Sequence, residues 1–163
     1  MITLMSNKTP SFKQLLSHPV HLLAFGFGSG LSTKAPGTMG TLVAIPVYYL
    51  LVFFPDFYLP VLLLVITAGC WICGKTAKEI GVHDHGGIVW DEIAGYLLTM
   101  YWVAFSWQNV IVGFMLFRLF DIAKPWPISW LDRKVKGGVG IMADDLAAGL
   151  MSAACLYAIN LIV

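Results

Sequence analysis

The sequence predicts an all-α fold, a polytopic membrane helical bundle of about five spans. Three observations predict it. Of 163 residues, 58% are hydrophobic and 12% are charged, about half the ~25% charged share of ordinary soluble domains. Apolar runs cover 38–55, 57–74, 88–107, 110–117 and 146–163, and a helix needs roughly 20 mostly apolar residues to cross a bilayer core. Nearly every ionisable residue falls in the gaps between those runs. A compact soluble globule with unusually greasy helices is the alternative, and the run lengths count against it.

Residues 1–17 read as a cytoplasmic N-terminal segment. They are polar, carry Lys8 and Lys13, and lack the apolar core of a cleavable signal. Residues 18–163 read as one membrane domain. Segment 22–31 is the ambiguous element, either a re-entrant half-helix or a stretch lying on the interface. The runs 38–55 and 57–74 are near the short end for a span, while 88–107 and 146–163 fit. The run 110–117 reaches spanning length if Arg118, Asp121 and Lys124 sit at its end. Five crossings place every Lys and Arg on one side, with Asp56 as the only charge on the other, and the positive-inside rule makes the basic side cytoplasmic. All the other acids then face the cytoplasm too. Net charge is +1, so no basic field for nucleic acid exists. Cys70 and Cys73 form a C-x-x-C inside an apolar run. With no βαβ pattern or polar setting around them, they read as packing residues.

Three polar segments carry the candidate chemistry. Segment 26–41 is rich in glycine and hydroxyls, contains Lys34, and leads into a helix. Inward-turned amides and a helix N-terminus both favour a phosphate, with Thr38 or Thr41 as the helix cap. It is not a Walker A loop, because no Gly-Lys-Ser/Thr occurs. A plain flexible loop fits the composition equally well. Segment 83–95 contains His83, Asp84 and His85, then Asp91 and Glu92 entering an apolar helix. Acids in a first turn gain only ~0.3–1 kcal/mol, whereas a charge at the membrane centre costs ~2.5–3.5 kcal/mol. Asp91, Gly95 and Thr99 share one face, small and polar enough to look into the bundle. His83 and His85 make a poor zinc pair at this spacing. Segment 118–145 contains Arg118, Asp121, Lys124, Asp132, Asp144 and Asp145, and Asp145, Gly149 and Ser152 repeat the small polar face. A snorkelling Arg with a stop-transfer cluster is the bland reading of its basic residues. Carboxylates with Lys and Arg beside them are the set expected for Mg²⁺-dependent phosphoryl chemistry, because Mg²⁺ takes oxygen ligands and the substrate phosphate together.

The runs HDHG and VWDE (83–86 and 89–92), RLFDIAKPWPI (118–128) and GIMADDL (140–146) closely resemble the phosphatidylglycerophosphatase A family. So do GFGSGL (26–31) and APGTMGT (35–41). The resemblance covers roughly 18–159. It implies a bacterial inner-membrane, multi-pass, Mg²⁺-dependent lipid phosphatase with its site facing the cytoplasm. It also implies hydrolysis of phosphatidylglycerophosphate to phosphatidylglycerol and phosphate, the substrate staying in the bilayer.

No Cys-x5-Arg, Asp-x-Asp-x-Thr or Ser-x-His phosphatase nucleophile is present, which leaves attack by a metal-bound water as the simplest route. The expected roles follow. Asp91, Glu92, Asp144 and Asp145 hold one or two Mg²⁺. Asp121 is a further ligand or orienting group. Lys34, Thr38, Arg118 and Lys124 hold the phosphate. Asp84, oriented by His83, activates water or protonates the leaving oxygen, with a covalent role for Asp84 left open. Two alternatives remain: a small cation transporter, which would place acids near mid-membrane, and another Mg²⁺-dependent phospholipid-headgroup enzyme. The Asp-Gly-x2-Ala-Arg motif of phosphatidyltransferases is absent. Homo-oligomerisation is left open.

Overall fold

The computed structural model describes residues 9–82 and 85–162. In chain order the helices are α1 (Phe12–Leu16), α2 (Pro19–Ala24), a 3₁₀ turn (Gly26–Leu31), α3 (Pro36–Val52), α4 (Pro55–Ile80), α5 (Trp90–Met100), α6 (Trp107–Ala123), α7 (Ile128–Lys134) and α8 (Gly137–Ile162). The described residues form no strand, so the expected all-α class holds.

Local chemistry sets the ends. Pro36 and Pro55 open α3 and α4, where a missing N–H costs nothing. Gly81 closes α4 with φ 80°, the left-handed conformation glycine tolerates best. Ser106 caps α6 by accepting the Asn109 N–H at 3.0 Å. Neither Thr38 nor Thr41 caps α3, contrary to expectation. Ala35 occupies that position without a side-chain hydrogen bond, and the Thr41 hydroxyl turns back to donate to the Gly37 carbonyl at 2.9 Å.

Helices α4 and α8 are each 26 residues long, and both are long and apolar enough to cross a membrane. α3 is a shorter apolar helix. The third expected span, 88–107, departs furthest from expectation, because α5 is only 11 residues. At 1.5 Å per residue it rises about 16 Å, and the chain from 103 to 106 is non-helical. Segment 22–31 is not one half-helix either. It breaks after Ala24 into a turn with positive φ at Gly26, Phe27 and Gly28.

The core lies around α5. Its residues Tyr96, Leu97 and Met100 pack with Tyr48 of α3, Leu62 of α4, Phe117 of α6 and Leu156 of α8. A second cluster joins α2 to α4 and the first turns of α8 through Phe25, Ile80 and Met142. Large apolar side chains also face outward: Leu50, Leu64, Ile111, Met115 and Leu161 are all exposed.

Candidate active site

The site begins with a helix crossing. α5 packs more extensively on α8 than on any other element. The two meet at Gly95 and Gly149, where a Cβ on Gly95 would lie 2.8 Å from the Asp145 carbonyl and one on Gly149 would strike the Gly95 carbonyl. Only glycine permits backbones so close. Asp91 sits four residues before Gly95 and Asp145 four before Gly149, so each acid lies one turn along the touching face. The Thr99 hydroxyl continues that face, donating to the Gly95 carbonyl at 2.9 Å and reaching the Gly149 carbonyl at 3.3 Å.

Carboxylate oxygens of Asp91, Glu92 and Asp145 consequently lie within 4.8 Å of one another. Asp91 is 7% exposed and Asp145 4%. Arg118, from the last turns of α6, puts Nη1 3.9 Å from Glu92 and donates to Asp121. Asp121 also lies near Asp145, adding a further carboxylate to the cluster. Among the described residues, two buried atoms here have no hydrogen-bond partner, Glu92 Oε2 and Arg118 Nε. A buried acceptor without a partner costs ~1–3 kcal/mol. The pocket therefore holds crowded carboxylates beside one guanidinium and an open acceptor. All donors are oxygens, the set that a hard divalent cation such as Mg²⁺ takes.

Asp144 lies elsewhere. Adjacent helical residues diverge by about 100°, and Asp144 faces α7. Lys124 Nζ donates to it at 2.7 Å and to Asp132 at 2.9 Å. Burial works against the Lys124 charge, but the bonds to Asp144 and Asp132 outweigh it and hold the ammonium above the ordinary lysine range. This network borders a cleft of about 260 Å³ lined by Asp132, Arg133, Lys136 and Asp144. Lys124 is thus engaged by two carboxylates.

The glycine-rich segment does approach the acids. A Cβ at Gly37, in the first turn of α3, would collide with the Glu92 carboxylate and lie 3.1 Å from Arg118 Nη1. Thr38 is half-buried beside it, and Lys34 is exposed on the preceding turn. The loop before α5 is clamped from the same side. The Val89 N–H donates to the Ala24 carbonyl at 2.8 Å, and a Cβ at Gly30 would overlap the Gly87 carbonyl. His83 and Asp84 lie outside the described residues. His85 accepts the Gly87 N–H at Nδ1, 3.0 Å, and its Nε2 is 3.3 Å from the Thr9 hydroxyl. Cys70, Cys73 and Cys155 are free thiols, and Cys73 is a packed core residue.

Sequence reasoning missed two groups. Gly37 entered only as loop composition, and its spatial partner Glu92 is far along the chain. His21 went unremarked. It is buried and bonded to Thr76 and Glu79 of α4, and the only local signal was a histidine within an otherwise apolar stretch.

A family model described as phosphatidylglycerophosphatase A matches residues 22–160. An Escherichia coli phosphatidylglycerophosphatase A is 54% identical over 147 residues, covering 89% of this chain and 86% of its own. A Haemophilus influenzae phosphatidylglycerophosphatase A is 42% identical over 159 residues, 96% of this chain and 98% of its own. A Bacteroides thetaiotaomicron protein with the provisional name phosphatidylinositol-3-phosphatase is 38% identical over 154 residues, 89% of this chain and 92% of its own. No solved structure matches the chain. By near full-length identity and the family match, the chain belongs to the phosphatidylglycerophosphatase A family.

Proposed function

We propose that this protein hydrolyses the terminal phosphate monoester of phosphatidylglycerophosphate, giving phosphatidylglycerol and phosphate, with Mg²⁺ held at the cytoplasmic edge of a bacterial inner membrane. The observation that carries the reading is the meeting of Asp91, Glu92 and Asp145 from two helices beside Arg118. These three acids fit the metal. Asp144 serves it indirectly, by fixing Lys124 and the start of α8. When bound, the ion lowers the pKa of a water and offsets charge on the phosphoryl oxygens.

The protein's own groups do the rest. Arg118, steadied by Asp121, presents to the phosphate its Nε edge, which has no partner among the described residues. The first turn of α3 turns its Gly37 and Thr38 amides towards the acid end, with no side-chain cap on α3 among the described residues, and a helix N-terminus favours an anion. Lys34, exposed on the approach, draws the headgroup in. A water attacks phosphorus and the bond from phosphorus to the glycerol oxygen breaks. The water's proton passes to a carboxylate, and the leaving oxygen gains a proton. Asp84, assisted by His83, is assigned that exchange.

Orientation follows from charge. Lys75, Lys78, Arg118, Lys124, Arg133, Lys134 and Lys136 gather at the acid end, and the positive-inside rule puts that end in the cytoplasm. About five apolar helices, α3, α4, α5, α6 and α8, lie within the bilayer in this reading, α5 dipping in rather than crossing alone.

The test is phosphate release from vesicles carrying phosphatidylglycerophosphate, with phosphatidate and phosphatidylinositol 3-phosphate vesicles as comparators. Rapid release from the first that stops in EDTA and returns with Mg²⁺ supports the reading. Undiminished release in EDTA, or faster turnover of either comparator, overturns it.

A further inference from the structure

Outside the acid pocket, the most elaborate buried polar cluster joins α2 to α4. His21 is 3% exposed and bonded at both ring nitrogens. Nε2 is 2.9 Å from Glu79 Oε2 and Nδ1 is 3.0 Å from Thr76 Oγ1. A carboxylate only accepts, so Nε2 carries the proton, and the Thr76 hydroxyl donates to Nδ1. Burial lowers the His21 pKa, outweighing the opposing pull of Glu79, which suits this neutral tautomer. Every polar atom of the ring is therefore matched, and α2 is locked to α4 in one register.

The lock leads towards the acids. One turn after His21, the Ala24 carbonyl accepts the Val89 N–H at 2.8 Å. Val89 is the N-cap residue of α5, two positions before Asp91. The next residue, Phe25, is fully buried and sets its ring 5.5 Å from that of His85. A Cβ at Gly87 would strike that same Phe25 ring. The end of α2 thus holds the start of α5 and the loop before it, while α8 holds the other side of α5.

We infer that His21 is a positioning residue for the metal site: by fixing α2 on α4 it sets, through the bond from Val89 to Ala24, where α5 presents Asp91 and Glu92. It touches neither substrate nor metal. The inference rests on the proposed metal reading, and its test separates the two. Mn²⁺ binding is measured by electron paramagnetic resonance on detergent-purified protein, beside hydrogen exchange of the amides over 89–93. His21→Ala should weaken Mn²⁺ binding several-fold, less than loss of a group bonded directly to a ligand, and speed exchange at 89–93. The KM for lipid at saturating metal should stay within about twofold, since uniform substrate binding is untouched. His21→Gln, which can still donate to Glu79, should recover most of the loss. Thr76→Val, nearly isosteric, should give a smaller change in the same direction and carries the test should His21→Ala fail to fold. Unchanged Mn²⁺ affinity and unchanged exchange in His21→Ala, or in Thr76→Val where His21→Ala does not fold, overturn the inference. A wild-type protein that takes up no Mn²⁺ sinks the metal reading itself.

Discussion

At the acid end of the bundle, α5 and α8 touch backbone to backbone at Gly95 and Gly149, and the space above is filled by carboxylates. At the opposite end the bundle is closed by rings from α3, α4, α5 and the start of α6. Tyr48 stands 6.1 Å from Tyr58, 6.5 Å from Tyr96 and 6.1 Å from Phe105, and Tyr49 stacks on Trp107 at 6.2 Å. There the chief polar tie is Asn109 with Asn160, each amide donating to the other at 3.1 and 2.9 Å. Ring contacts are numerous and individually weak, about 0.5–1.5 kcal/mol per pair, so loss of one is graded. A glycine contact has no intermediate setting, because the smallest added side chain moves a helix. The bundle combines a forgiving end with an unforgiving one, and the candidate site is at the second.

The contrast sharpens first at two neighbouring acids. Asp145→Asn should cut turnover by at least roughly 10³-fold with normal membrane insertion, since a metal ion is worth several kcal/mol of barrier. Asp144→Asn should cost no more than roughly tenfold, because Lys124 keeps Asp132. Equal losses in steady-state kinetics would break the distinction between them. Gly95→Val comes next. Its Cβ meets Phe117 and the Asp145 carbonyl, so it should lower thermal stability by about 1–3 kcal/mol and activity more than that destabilisation explains. Smallest is Asn160→Ala at the ring end. It should cost about 1 kcal/mol of stability and leave kcat unaltered. A fall in kcat there would show that the two ends are coupled.

Much of this was legible along the chain. The faces Asp91/Gly95/Thr99 and Asp145/Gly149/Ser152 follow from helical spacing alone, and they do meet. Asp144 was grouped with Asp145 because adjacency in sequence looks like adjacency in space, which a helix denies. The length of α5 was overread because apolar composition runs on through 101–105 while the helix stops. Hydropathy reports solvent preference and carries no signal for a turn between buried residues. Gly37 against Glu92, and His21 against Glu79, were invisible for a simpler reason: each joins segments whose proximity only the packing of α2, α3 and α4 creates.

The glycine contact beneath the acids fixes more than their spacing. With two main chains already touching, the bottom of the pocket has no room to sink, and no hinge there can draw a ligand deeper. Under the proposed lipid-phosphatase reading, it is the headgroup that has to come to the acids, because the helices beneath them cannot yield. That reading predicts selection on reach and on charge at the tip of the headgroup.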